Sequence, residues 1–244
     1  MLPILYQSDN FIAIDKPAGL LVHRSPLDPR ERRFALQLLR DQIGQDVHPC
    51  HRLDKPTSGV LLFALNKAAL REAQDAFAEG RAAKTYQAVV RGWTDTEGVI
   101  EYALRPKTKT PGGMVIGDPQ DALSRYRRLA TSELPIPLAP YATLRLSHVE
   151  VRPETGRTHQ IRRHFQHISH PVVGDTKHGK GALNRIFREH FDCRRMLLAA
   201  TDLRLQLPGY PEEPLEIHAD PAPDFLQVLE AAGLRNRSPH THTG

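Results

Sequence analysis

Apolar positions along the chain recur with two periods. Short runs of alternating or β-branched residues, bounded by turn residues, read as strands. Residues 3–6 and 11–14 form a hairpin turned by Ser8-Asp9-Asn10 and ended by Lys16-Pro17-Ala18-Gly19. Residues 60–65 (VLLFAL) read as a buried strand, and KTYQAVVR at 84–91 as a strand ending at Gly92. Further strands are predicted at 124–130, 142–151, 196–206 and 214–218. Helical spacing marks 33–43, where apolar residues fall at 34, 35, 38, 39 and 43 and Gly44 can close the helix. It marks 67–79 (stopped by Gly80), 158–168 and 223–232 as well. In the third of these helices Thr158 can act as the cap, and Ile161, Phe165 and Ile168 make one buried stripe. Residues 105–122 are rich in Pro, Gly and Lys and read as a long loop or pair of turns. The stretch holding Gly174, Gly179 and Gly181 reads as a loop, and the polar tail 235–244 as disordered.

Strands and helices interleave without a regular βαβ rhythm, and several strand pairs are joined by short turns. The expected fold is therefore α+β, a mixed and mainly antiparallel central sheet with flanking helices. No composition shift marks a boundary, so one domain is expected over 1–234.

Composition narrows the class. The chain has 244 residues, 40% hydrophobic and 25% charged, ordinary for a globular protein able to build a core without disulfides. No apolar stretch approaches the roughly 18 residues that span a membrane. The start, MLPILYQSDN, lacks the basic and apolar regions of a signal peptide. With no export signal, Cys50 and Cys193 read as reduced thiols, and the expected location is the cytoplasm. The net charge is +5, and its cations cluster: Arg24, Arg30, Arg32 and Arg33; Arg105, Lys107 and Lys109; Arg125, Arg127 and Arg128; Arg157, Arg162 and Arg163. Such clusters fit either a solvated surface or a nucleic-acid footprint.

The chemistry-bearing strings lie at two places. HRLDKPTSG, 51–59, sets Asp54 among cations at the mouth of the buried strand. TGRTHQIRRH, 155–164, sets Arg162 about 100° round the helix from its apolar stripe, at the edge of the core. An arginine there needs a carboxylate, for which Asp54 is a candidate, or else it faces solvent or a phosphate. His159, His164, His167 and His170 are close in sequence, but no acid or cysteine accompanies them as a ligand set, so no metal site is expected. A G-x-S-x-G elbow, a G-x-G-x-x-G loop and a Walker A loop are all missing from the sequence.

HRLDKPTSG, KTYQAVVRG (84–92) and TGRTHQIRRH, in this order, closely resemble the RluA-type family of RNA pseudouridine synthases. NFIAIDKPAGLLVH (10–23) and HPVVGDTKHG (170–179) extend the resemblance over nearly all of 3–220. The resemblance implies the pseudouridine synthase catalytic fold, with Asp54 as the catalytic aspartate, Tyr86 as the active-site tyrosine and Arg162 as the arginine paired with the aspartate. It also implies that Arg52 helps displace the target base. Further RNA contacts are expected from His51, Arg157, His159, Lys107 and Lys109. Some relatives carry an S4 RNA-binding domain. None is expected ahead of Leu2-Pro3-Ile4, so binding is expected from the catalytic domain itself. LLVHRSPLD, RDQIGQDV and GDTKHG resemble members acting on uridine 65 of tRNA, with ribosomal RNA or another tRNA position as the alternative substrate.

The implied reaction detaches uracil at N1 from ribose C1′, turns it and rejoins it through C5. No atoms are gained or lost overall, so no cofactor is expected. An ionised carboxylate is needed beside the sugar, either as nucleophile at C1′ or as base toward the C2′ proton. A neighbouring cation favours that ionised form. A non-catalytic RNA-binding protein that kept the fold is the competing class, and a metal-dependent hydrolase a remote third.

Overall fold

A computed structural model describes residues 1–24, 31–110, 113–207 and 213–235, the Lys109 side chain excepted. The alternating pattern at the start folds as expected, with β1 (Ile4–Gln7) and β2 (Phe11–Lys16) pairing antiparallel. Along β2, Phe11 and Ala13 face one side and Ile12 and Ile14 the other, and all four are buried. Both faces of the sheet must therefore be covered. The helix α1 (Ala35–Ile43) packs Ala35 and Leu39 on the Ile12 side and is closed by Gly44 in the left-handed region. The helix α2 (Lys67–Ala78), capped by the Asn66 side chain, lays Ala69, Ala73 and Ala76 on the Phe11 side. Between them lie β3 (His48–Pro49) and β4 (Ser58–Ala64), every residue of β4 being buried.

The sheet continues through β5 (Ala82–Arg91), β6 (Glu97–Glu101), β9 (Leu123–Leu134), β10 (Leu144–Pro153), β11 (Leu198–Leu205) and β12 (Leu215–His218). β7 (Lys107–Thr110) and β8 (Gly113–Ile116) form a separate hairpin. The order is β1-β2-β4-β11-β5-β10-β9-β6, with β12 on β11 and β3 on β4. Every named pairing is antiparallel except β11 with β4, so the sheet is mixed and mainly antiparallel, as expected. At that parallel contact Gly59 has φ +107, and a Cβ on it would collide with the Ala200 carbonyl. Only glycine lets the two strands approach there.

The stripe of α3 (Gln160–His167) buries Ile161 and Phe165 against Val149 and Val151 of β10. On the opposite face α4 (Gly181–Phe191) and α5 (Pro223–Ala231) pack Leu183, Phe187, Phe225 and Leu229 over Val89 and Leu146.

Four expectations need correction. Residues 181–191 are a helix rather than the end of a loop. Gly181 opens α4, whose Leu183 and Phe187 lie at i and i+4 on its buried face. The 105–122 stretch carries the β7–β8 hairpin rather than bare turns. The cap of α3 is not Thr158. His159 holds that place with φ 55, and no side chain caps the helix. Arg235, read as the start of the tail, ion-pairs with Glu230 at 2.7 Å, while 236–244 lie outside the described residues. Cys50 and Cys193 are both free and buried.

Candidate active site

The loop between β3 and β4 presents Asp54. Its turn is closed by the Thr57 N–H on the Asp54 carbonyl at 3.0 Å. From behind, the Lys55 carbonyl accepts the Gly19 N–H at 2.8 Å and the ammonium of Lys16 at 3.3 Å. Lys16 is fully buried, and its Nζ also donates to the carbonyls of Pro17 (2.9 Å) and Leu20 (2.8 Å). Burial lowers its pKa to about 7. Three carbonyl acceptors match the three donors of the ammonium form. This lysine thus ties the segment after β2 to the loop that carries Asp54.

Arg162 approaches from α3. Its Nη1 donates to Asp54 Oδ2 at 2.8 Å, so the pairing expected from its place beside the apolar stripe is formed. The guanidinium is 5% exposed and Asp54 17%. The rest of the fork goes to a residue that no sequence signal singled out. Nε and Nη2 donate to Asp175 Oδ2 and Oδ1 at 2.7 and 2.9 Å, and the Asp175 side chain is 0% exposed. Burial works against the Arg162 charge, but hydrogen bonds to Asp175 and then Asp54 outweigh it and hold its pKa above the usual value. For Asp175 burial acts upward, but the hydrogen bond and charge of Arg162 together with the backbone N–H groups of His178 and Lys177 outweigh it, so its pKa is lowered. Asp175 also accepts the backbone N–H groups of Lys177 and His178 at 2.8 and 2.9 Å. Gly174 precedes it with φ +79, hard against the Arg195 carbonyl, which turns the chain so that Asp175 points inward.

The loop ahead of α3 is pinned by Gln160. Its Oε1 accepts the Thr155 hydroxyl (2.6 Å) and the Arg157 N–H (3.0 Å), and its Nε2 donates to the Leu123 carbonyl (2.9 Å). The left-handed turn at His159 then brings that ring to Asp54, Nε2 lying 3.8 Å from Oδ1. His159 Nδ1 is 2.8 Å from His178 Nε2. Burial pushes the His159 pKa down to about 4 against the pull of Asp54, so at neutral pH the imidazole is uncharged.

Tyr86 lies on β5 between the α1 and α3 core clusters and lines the same cleft, of about 620 Å³. Burial, and then the charge of Asp54, raise its pKa above the usual phenol range. Its hydroxyl stays protonated at neutral pH, which suits a stacking ring and hydrogen-bond donor better than a base.

The expected RNA contacts are placed unequally. Arg52 is exposed on the rim of this cleft, and so is Arg157, whose Nε donates to the Asp121 carbonyl at 3.0 Å. His51 lines the cleft, but its Nε2 accepts the Leu62 N–H at 3.1 Å, its ring rests on Phe77, and burial lowers its pKa to about 4. Lys107 is exposed on the β7–β8 hairpin, outside the lining of the cleft, and the Lys109 side chain lies outside the described residues. Three of the histidines weighed as ligands have protein partners. His164 is 3.0 Å from Ser124 Oγ and 3.1 Å from the Tyr102 carbonyl, His167 stacks on Tyr102 at 3.7 Å, and His170 is 2.7 Å from the Arg91 carbonyl.

Comparison with known proteins agrees with this geometry. Residues 10–167 match the family model described as RNA pseudouridylate synthase. A Vibrio cholerae protein named tRNA pseudouridine synthase C is 49% identical over 90% of this chain and 91% of its own length. A Salmonella typhi protein of the same name is 45% identical over 98% and 93%. The solved structure of human RNA pseudouridylate synthase domain containing 1 superposes with a TM-score of 0.70 at 30% identity, covering 91% of this chain and 84% of that one. That of human RNA pseudouridylate synthase domain containing 4 gives 0.70 at 26%, covering 95% and 93%. With the family model matching more than half of the chain and relatives of 45–49% identity covering 90% or more of it, the chain belongs to the RNA pseudouridylate synthase family.

Proposed function

We propose that the chain isomerises a uridine of tRNA to pseudouridine in the cytoplasm, at position 65, with Asp54 acting directly on the nucleotide. The observation that carries this reading is the 2.8 Å hydrogen bond from Arg162 Nη1 to Asp54 Oδ2 on the floor of a cleft that Tyr86 also lines. The curated relatives named tRNA pseudouridine synthase C support tRNA as the substrate. So do the strings around 20–28, 40–47 and 174–179. Among the described residues no helix is long and apolar enough to cross a membrane.

The geometry divides the labour. Arg162 holds one Asp54 oxygen through a single N–H and leaves the other free toward the sugar. Asp54 then either attacks C1′ or removes the C2′ proton. The N1–C1′ bond breaks, the base turns, and C5 bonds to C1′ as the Asp54–C1′ ester bond breaks or, on the other route, as the C2′ proton is returned. C5 then releases its proton, and N1 ends protonated, so the product is an isomer of the substrate. Tyr86 supplies a face for the uracil to stack on. The uridine reaches this floor only after leaving its helix, which costs a few kcal/mol. Arg52 takes the vacated place, while His51, Arg157 and His159 line its path and Lys107 and Lys109 hold the RNA from the hairpin.

The test is incubation with an unmodified tRNA transcript carrying tritium at uridine C5. Release of tritium to water reports the reaction, and carbodiimide-based mapping names the site. Asp54→Asn is expected to bind the transcript as the wild type does and to release no tritium. Release undiminished by Asp54→Asn overturns the assignment of the aspartate. Product at another tRNA position, or on ribosomal RNA, overturns position 65 only.

A further inference from the structure

The cations near the cleft are not equivalent. A second concavity, of about 840 Å³, adjoins the Asp54 cleft and shares Gly80, Ala82, Lys84, Pro153 and Glu154 with it. Three arginines lining this groove are neutralised by carboxylates: Arg125 by Glu154, Arg152 by Glu150 at 3.0 Å and Arg204 by Glu216 at 3.3 Å. His218 in the same groove is hydrogen-bonded to Asp202 at 2.7 Å. Lys84 differs. Among the described residues its ammonium has no hydrogen bond and no ion pair, although the residue is partly buried. Burial lowers its pKa, and no carboxylate acts to raise it again. An uncompensated, partly desolvated charge is costly, and the fold bears that cost at the junction of the two concavities.

Its position fits an anion carried by the substrate. Lys84 and Tyr86 are two residues apart on β5, so both side chains point to the same face. The spacing between them is about 6–7 Å. That span is comparable to the distance from a nucleobase to the phosphate of its own nucleotide. A uracil stacked on Tyr86 therefore has a backbone phosphate within reach of Lys84 Nζ. Gly156 stands beside that ammonium, where a Cβ would lie 3.8 Å from Nζ, so no side chain of that residue covers it. The paired arginines lie on the groove that leads away from this point.

We propose that Lys84 is the binding residue for a phosphate flanking the flipped uridine, and that the RNA strand runs from the Asp54 cleft into the adjoining groove across it. This rests on the reading of the cleft as an RNA-modifying site. Lys84 binds the strand and takes no part in the bond changes at C1′.

The test compares the wild type, Lys84→Met and Lys84→Arg on a tRNA transcript. Tritium release gives kcat and KM, and RNA affinity is titrated against salt. Lys84→Met is expected to raise KM about tenfold with kcat little changed, and to lower the slope of log affinity against log salt by about one, while Lys84→Arg keeps the wild-type slope. In a second arm the phosphate on either side of the target uridine is replaced by an uncharged methylphosphonate. One of the two replacements is expected to weaken binding to the wild type and leave binding to Lys84→Met unchanged. That arm also reads out on the wild-type protein alone, so a poorly folding variant does not blunt it. Wild-type binding indifferent to both replacements overturns the proposal, as does a correctly melting Lys84→Met with wild-type KM and salt slope. A wild type that releases no tritium from any RNA sinks the isomerase reading instead, and the two failures are told apart by that control.

Discussion

At the scale of single residues, the division of Arg162 between two acids decides how Asp54 is presented. The bidentate fork to Asp175 fixes the plane of the guanidinium, and Nη1 donates to Asp54. Asp175 therefore works as a positioning residue. Asp175→Asn keeps the shape but loses the anion and one acceptor. It is expected to cut kcat at least tenfold with RNA affinity unchanged, which single-turnover tritium release and a binding titration separate. Arg162→Ala leaves both acids uncompensated and is expected to cost about 3–5 kcal/mol of stability, visible as a lower melting temperature. If that variant melts as the wild type does, the buried pair contributes nothing to stability. The Asp54–Arg162 pairing was legible in the sequence because the stripe of Ile161, Phe165 and Ile168 puts Arg162 at the edge of the core, where a bare charge is expensive. Asp175 was not. It sits in G-D-T-K, which reads as an ordinary turn, and its burial follows only from the tertiary approach of Gly174 to the Arg195 carbonyl. The five N–H donors of a guanidinium exceed what Asp54 alone can accept, but nothing in the sequence says which residue takes the rest.

At the scale of elements, legibility tracked how local the determinants are. Strands such as β2 and β4 and helices such as α1 and α2 are written in their own periodicity and stop signals, and they fall within a few residues of expectation. The helix α4 was hidden because Gly174, Gly179 and Gly181 outweighed the short apolar repeat that follows them. The β7–β8 hairpin was hidden for a different reason. Its strands pair only with each other, and Met114, Val115 and Ile116 are exposed, so no buried face imposes an alternating pattern. Beneath it the chain is already closed by Gly117 N–H to the Pro106 carbonyl at 3.0 Å and by the Leu104–Gln120 bridge. Replacing 107–116 by a short glycine linker is therefore expected to leave the melting temperature within about 2 °C, since the strands removed bury no part of the core. If the hairpin grips tRNA through Lys107 and Lys109, affinity for tRNA falls in the same variant. A shortened protein that melts normally and binds tRNA as before removes the hairpin from the interface.

At the scale of the whole molecule, the titrating groups give the fold an acid limb. His51 and His159 line the Asp54 cleft, His148 lies against Phe225 of α5, and burial brings each from the usual 6.5 to about 4. The unfolded chain then binds more protons than the folded one between those values. The stabilisation is complete above pH 6.5 and is lost as pH falls toward 4. With about 1.4 kcal/mol for each pKa unit, the combined loss is on the order of several kcal/mol. His218 has the opposite sign, because Asp202 and Asp220 raise its pKa, but it is exposed and the effect is small. Asp175, lowered by Arg162, adds its own loss only at still lower pH. Thermal melting is therefore expected to decline steeply from pH 6.5 to 4, while the lowered pKa of Lys16 makes stability rise as pH increases above 7. His148 offers the cleanest control, because its ring lies outside the lining of the Asp54 cleft, 6.4 Å from that of Phe225 of α5, with its Nε2 3.0 Å from Gln87 Oε1. His148→Leu is expected to flatten the acid limb while leaving tritium release at pH 7.5 intact. An acid limb of unchanged steepness in that variant would mean that the protons are taken up at the other buried histidines, His51 and His159 in the cleft, and acid would then act on the cleft before it unfolds the rest of the sheet.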